Sequence, residues 1–257
     1  MEKWVVCPEV RPAAPHRLFC FSYAGAGIAV FRNWWLDFRN VEVCCIQLPG
    51  REQRRHEQPF ACMDELIPPL VDGLRKWLNR PFVFYGHSVG GRIAFEAARA
   101  LRGAGLPQPR HLFVGATPAP EIGSLWPPLH SMEDTDFLDE IQRRYGAIPA
   151  PILTDPEMLA ALLPALRADV ALMETYNHVS GSPLECPITA MGGVRDRVVR
   201  RAALQAWSHH TSNRFELHLL EGDHFFLQAQ RHRLRALISS ELAHFPDTRW
   251  RTATASG

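Results

Sequence analysis

Residues 82–85, Phe-Val-Phe-Tyr, run straight into Gly86-His87-Ser88-Val89-Gly90-Gly91, and an alanine-rich stretch with helical character follows. A serine therefore stands on a strand-to-helix turn. Such a turn demands residues without bulk on both sides of the serine, and glycine meets that demand. The hydroxyl then projects at the carboxyl end of a strand, and the next backbone N–H is free to bind an oxyanion. Taken alone, G-x-S-x-G also occurs by chance in ordinary glycine-rich turns. Two features of the flanking sequence favour the nucleophile turn: Pro81 opens the strand, and Ala94, Ala97 and Ala98 make the helix small enough to pack closely on a sheet.

A chain of 257 residues, 46% of them hydrophobic, can bury a large core, and one domain spanning 1–257 is expected. No apolar run reaches the length of a membrane span, and Met1-Glu2-Lys3-Trp4 does not begin a secretory leader, so a cytoplasmic protein without membrane association is expected. The formal net charge of +1 argues against a nucleic-acid partner, which a strong basic excess would signal. The six cysteines are irregularly spaced in a chain that needs no staples, and read as buried thiols.

Strands alternate with helices along most of the chain. Apolar strands are expected at 16–23, 41–48, 112–116, 187–191 and 215–220, besides the one before Ser88. Helices are expected at 30–38, from Pro68-Pro69 to Leu78, after the serine turn, and at the C-terminal end, with Leu227, Leu234, Leu237, Ile238 and Leu242 on one face. This alternation implies an α/β fold with a mostly parallel sheet. The polar tail after Pro246 is expected to fray.

Between 117 and 183 the alternation stops and only helical patterns remain. Ser131 and Asp134 resemble a capping box ahead of Phe137, Leu138, Ile141 and Tyr145, with Gly146 as the stop. Asp155-Pro156 opens a further helix, which Pro164 is expected to kink or divide. An excursion at this point in the order would cover the carboxyl edge of the sheet, where open α/β folds bind ligands, and so form a helical lid. Most of its apolar residues need do no more than pack it onto the body.

A serine needs a base within hydrogen-bond reach and a third group that orients the base. Where a serine turn of this kind leads, acid and then histidine follow it in chain order. Of twelve histidines, His224 in Gly222-Asp223-His224-Phe225-Phe226 stands directly after the last strand; His209, His210, His218, His232 and His244 fall within elements or at a helix end. Asp196, in the loop after strand 187–191, is the expected acid, ahead of Asp223, Glu221 and Asp169. The oxyanion donors expected are the N–H groups of Val89 and of Ala24, in the loop Phe21-Ser22-Tyr23-Ala24-Gly25-Ala26-Gly27. Gly25-x-Gly27 could also begin a dinucleotide fingerprint, but Val30 replaces its third glycine and the serine turn then has no explanation.

Five segments in order, Phe21-Ser22-Tyr23-Ala24-Gly25, Gln47-Leu48-Pro49-Gly50-Arg51-Glu52, 86–91, 163–169 and 222–226, resemble the type II (stand-alone, editing) thioesterases of polyketide and nonribosomal peptide synthesis. The resemblance implies an α/β-hydrolase fold with a helical lid, and Ser88, Asp196 and His224 match the family triad. It implies hydrolysis of acyl groups from the phosphopantetheine arm of acyl or peptidyl carrier proteins, with no cofactor or metal of the enzyme's own. Gly25-Ala26-Gly27 departs from the family's usual run, which weakens the inference of Ala24 as donor. Carrier proteins of such systems are generally acidic, so two arginine clusters are docking candidates: Arg51, Arg54 and Arg55, and Arg195, Arg197, Arg200 and Arg201. Solvated faces with local ion pairs have the same composition. A carboxylesterase, a medium-chain acyl hydrolase or an acyltransferase would use the same triad. A monomer is expected.

Overall fold

The computed structural model describes residues 4–38, 40–123, 126–146 and 148–245. The tail after Pro246 lies outside them. Seven strands, β1 (Val5–Val6), β2 (His16–Phe21), β3 (Val41–Ile46), β4 (Phe82–His87), β5 (Leu112–Gly115), β6 (Ile188–Gly193) and β7 (Phe215–Leu220), form one sheet in the order β1-β3-β2-β4-β5-β6-β7. All neighbours are parallel except β1, which pairs antiparallel with β3. Every residue of β2 to β6 is buried. Strands covered on both faces need continuous apolar runs rather than alternation, which is what these sequences supply. The one opposed pair of charges inside them, Arg17 on β2 and Glu42 on β3, is in register and bonded at 2.6 Å.

The helices are α1 (Trp34–Asp37), α2 (Met63–Leu74), α3 (Val89–Gly103), α4 (Asp134–Tyr145), α5 (Ala150–Leu153), α6 (Pro156–Glu174), α7 (Arg201–Gln205), α8 (Phe226–Ala229) and α9 (Arg231–Ala243). Packed on one face of the sheet, α2 and α3 bury Leu66, Leu70, Ile93, Ala94, Ala97 and Ala98 against Phe19, Phe84 and Val114. The other face carries Trp34, Phe226, Leu234 and Ile238 against Leu18, Val43, Tyr85 and Phe113. A third, smaller cluster of Leu129, Phe137, Ile141, Ile148 and Leu166 belongs to α4–α6, which lie between β5 and β6.

Several local expectations are corrected. Helix α2 begins at Met63, and Pro68 and Pro69 lie inside it. Each proline removes a helical hydrogen bond, yet the burial of Leu66, Ile67, Leu70 and Val71 outweighs that loss. Pro164 is likewise internal, on the exposed side of an unbroken α6. The expected helix at 30–38 is split, because Asn33 adopts φ +69° between a 3₁₀ turn (Ile28–Phe31) and α1. Glu133, not Ser131, is the N-cap of α4, and the Asp134 carboxylate accepts from Arg167 at 2.7 Å. Asp155 caps α6 as expected, accepting from the N–H groups of Glu157 and Met158. No helix among the described residues is long and apolar enough to cross a membrane.

Following β3, the chain crosses back over β2 to place β4 on its far side. The strand order therefore reverses between β2 and β4, and open α/β sheets have their ligand crevice at the carboxyl ends of such a pair. Those two ends carry the 22–27 loop and Ser88.

Candidate active site

Ser88 adopts φ +54° and ψ −122°, a conformation that costs a non-glycine residue about 1–3 kcal/mol. Its surroundings enforce it. The Ser88 N–H donates to Gly115 O on β5 at 2.7 Å, and Gly91 N–H donates to Ser88 O at 2.9 Å. A Cβ at Gly86 would lie 2.2 Å from Gly90 O, and one at Gly90 would lie 2.3 Å from Phe21 O. The glycines thus let the first turn of α3 press backbone to backbone on β2 and on the turn itself.

The acid and base loops are bonded together at the ends of β6 and β7. Val194 N–H donates to Leu220 O and Arg195 N–H to Gly222 O, each at 2.9 Å. Gly193 is so close to the facing loop that a Cβ would meet Asp223 O at 2.2 Å. From these loops, His224 Nδ1 reaches Asp196 Oδ2 at 2.9 Å, and His224 Nε2 reaches Ser88 Oγ at 3.0 Å. Asp196 Oδ1 accepts from the N–H groups of Val198 and Val199. Burial pushes the Asp196 carboxyl upward in pKa, but the hydrogen bond and charge of His224 and the Val199 and Val198 N–H groups outweigh it and hold the group below the ordinary carboxylate range. Asp196 is thus an anion that fixes the imidazole with Nδ1 protonated and Nε2 turned to the serine. Of the expected residues, Ser88, Asp196 and His224 are brought together; Asp169 lies elsewhere, on α6, and the exposed Glu221 pairs with Arg195.

In the 22–27 loop, Gly25 N–H donates to Asp169 Oδ2 and Ala26 N–H to Tyr23 O. The N–H groups of Ala24 and Val89 meet no acceptor among the described residues. The loop does not form a dinucleotide cradle. Only a short 3₁₀ turn follows it, whose Ile28 and Ala29 N–H groups are already bound by the Glu52 carboxylate, and Glu52 Oε1 fills the place of a Gly27 Cβ at 2.2 Å.

Sequence reasoning missed two contributors. His87, fully buried, lies within hydrogen-bond distance of His224 O through Nε2 (2.7 Å) and of the Tyr85 hydroxyl through Nδ1 (3.2 Å). Burial, and secondarily the charge of His224, lower its pKa to about 3, so the ring is neutral. A neutral ring suits both contacts, with Nε2 donating to the carbonyl and Nδ1 accepting from Tyr85. Tyr145, the last residue of α4, sets its ring edge-on to His224 at 5.1 Å. The signal for His87 was its place inside the serine motif; Tyr145 had none beyond its helical stripe.

The docking candidates divide. Arg51 and Arg54 are corrected: both are buried, Arg51 against Asp169 at 2.6 and 2.9 Å, and Arg54 against Gln47 O and Glu57 with its guanidinium over Trp4. Arg55, Arg197, Arg200 and Arg201 are exposed, and Arg195 is exposed and paired with Glu221. One cluster among the described residues has metal-ligating types together, Cys7, Glu42 and Cys44, with ligand atoms within 4.8 Å. It does not fit an ion. Glu42 is already bound by Arg17 and by Arg11 N–H, and burial pushes the Cys44 thiol up, away from thiolate.

The thioesterase domain family matches residues 16–242. Gramicidin S biosynthesis protein GrsT of Aneurinibacillus migulanus is 38% identical over 243 residues, 94% of each chain. Linear gramicidin dehydrogenase LgrE of Brevibacillus parabrevis is 36% identical over 247 residues, covering 95% of this chain and 94% of its own. Among solved structures, the type II thioesterase BorB from the borrelidin biosynthetic cluster superposes with a TM-score of 0.82 at 30% identity, over 93% of this chain and 96% of its own. The serine turn, the sheet order and these likenesses agree, and the chain belongs to the thioesterase domain family, on an α/β-hydrolase fold.

Proposed function

We propose that Ser88, His224 and Asp196 are the catalytic triad of a type II thioesterase that removes aberrant or stalled acyl groups from the phosphopantetheine arm of acyl or peptidyl carrier proteins. The observation that carries this is the continuous relay from Ser88 Oγ through His224 to the anionic Asp196, at 3.0 and 2.9 Å, at the reversal point of the sheet. His224 Nε2 takes the Ser88 proton as Oγ bonds to the thioester carbonyl carbon. The Val89 and Ala24 N–H groups receive the oxyanion. Collapse breaks the C–S bond, and the imidazolium returns its proton to the departing thiolate, whose conjugate acid has a pKa of about 8.5 and so leaves easily. Water then repeats the sequence on the acyl-serine, giving the free acid.

The α4–α6 insertion serves as a lid over this site: the Tyr145 ring stands edge-on to His224, and Leu162 and Leu166 lie where they would crowd any side chain at Gly25. Arg197, Arg200 and Arg201, exposed beside the Asp196 loop, with Arg195 at its rim, suit the acidic surface of a carrier domain; Arg55 is exposed on the other strand-end loop. Activity on acyl groups loaded on a carrier protein, compared with the matching oxygen esters, tests the assignment. Faster thioester turnover that Ser88→Ala abolishes is expected; faster oxygen-ester turnover, or transfer to an added alcohol in preference to water, refutes it.

A further inference from the structure

A buried ion pair beside the site has no part in the relay. Arg51 Nη1 and Nη2, on the loop after β3, donate to Asp169 Oδ2 and Oδ1 at 2.6 and 2.9 Å, and the side chains are 7% and 1% exposed. Asp169 belongs to α6, 118 residues further along the chain. Its Oδ2 also accepts Gly25 N–H at 2.8 Å, and Arg51 Nη1 donates to Ala26 O at 3.2 Å. The pair therefore grips the two residues that follow Ala24. Gly25 stands at φ +72°, and a Cβ there would lie 3.1 Å from Leu162 and Leu166, so α6 leaves little room for a side chain at this point of the loop. Glu52, next to Arg51, holds the far side of the loop through Ile28 and Ala29.

We propose that Arg51 and Asp169 are a positioning pair that holds the Ala24 N–H as an oxyanion donor, so that the oxyanion site is complete only while α6 is seated on the 22–27 loop. The inference rests on the triad reading above. Burying two charges is a poor way to gain stability, since desolvation cancels most of the attraction. A bidentate guanidinium–carboxylate pair does, however, fix geometry in two directions at once. Gly25 and Ala26 donate inward to Asp169 and Tyr23, and the Ala24 N–H is the neighbouring one without an acceptor among the described residues. Coupling a lid helix to that donor would link closure over a substrate to transition-state binding.

Two variants test this, with kcat and KM measured on a small acyl-N-acetylcysteamine thioester alongside the melting temperature and the pH profile of kcat/KM. Arg51→Met/Asp169→Leu removes both charges, so none is left stranded, and also removes the acceptor for Gly25. Asp169→Asn keeps an acceptor oxygen but loses the ion pair. For the folded double variant kcat falls about a hundredfold, the effect of misplacing or losing one oxyanion donor, with KM within about threefold and the pH profile unchanged in shape. Asp169→Asn gives a smaller fall, about tenfold, by the same reasoning. Wild-type kcat in the folded double variant overturns the proposal, as does a fall accompanied by a shifted pH profile, which would locate the damage in the triad. Should the double variant not fold, Asp169→Asn decides by the same criteria. A wild-type protein inactive on thioesters refutes instead the triad reading on which the inference rests.

Discussion

The buried neutral His87 makes the stability of the protein depend on pH in a way that one substitution isolates. In the unfolded chain the imidazole titrates near its model value of 6.5; in the fold, burial has lowered it to about 3. As pH falls through 6.5 the unfolded state takes up a proton that the native state refuses until about pH 3, so stability is lost across that window and is fully present above it. At about pH 5 the difference is roughly 1.5 pK units, or about 2 kcal/mol at 1.36 kcal/mol per unit. His87→Gln removes the titration while its amide can still donate to His224 O. Urea unfolding at about pH 7 and pH 5 then gives four free energies. The wild type is expected to lose about 2 kcal/mol more than the variant over that interval. His111, lowered to about 3 by burial, and His178, also lowered, are present in both proteins and cancel in the difference. Equal losses in the two proteins would show that His87 is not held neutral by the fold, and the assignment of its Nε2 as the donor to His224 O would fall with it.

Asp196→Asn preserves shape but supplies a donor where an acceptor is needed, so the imidazole takes the wrong tautomer; kcat is expected to drop about 10⁴-fold with KM little changed. A drop below tenfold in steady-state assays would mean that another group orients His224. Reversing charge at Arg200 and Arg201 is expected to raise KM about threefold to tenfold for acyl-carrier substrates and to leave a small acyl thiol unaffected. Parallel changes on both substrates would dismiss the docking surface.

What could be read from sequence follows from where information lies along the chain. The inner strands were legible because burial on both faces leaves an uninterrupted apolar run, as in Phe82-Val83-Phe84-Tyr85. Strand β1 was not, because a two-residue strand leaves no pattern to read, although Val5 and Val6 pair with Ile46 and Cys45 and Val5 is buried in the core. The internal prolines misled because local propensity was overruled by packing of Leu66 and Leu70. The meeting of Ser88, Asp196 and His224 was legible because chain order and strand ends restrict the choice. Arg51 read as a surface charge because its partner is 118 residues away, and no local pattern distinguishes a solvated arginine from one meeting a distant carboxylate.

The position of β4 has a consequence for how the molecule comes apart. It has a parallel neighbour on each side, β2 and β5, and its side chains are shielded on both faces. Its amides should exchange with solvent only through global opening, whereas the α4–α6 segment, with its own small cluster, can open sub-globally. Ser88 is thus anchored at the end of what should be the slowest-exchanging strand, whereas α4–α6 belong to a part that should open more readily. On the function proposed above, substrate is admitted by transient release of that segment while the Ser88 hydroxyl keeps its place to within the stiffness of the sheet.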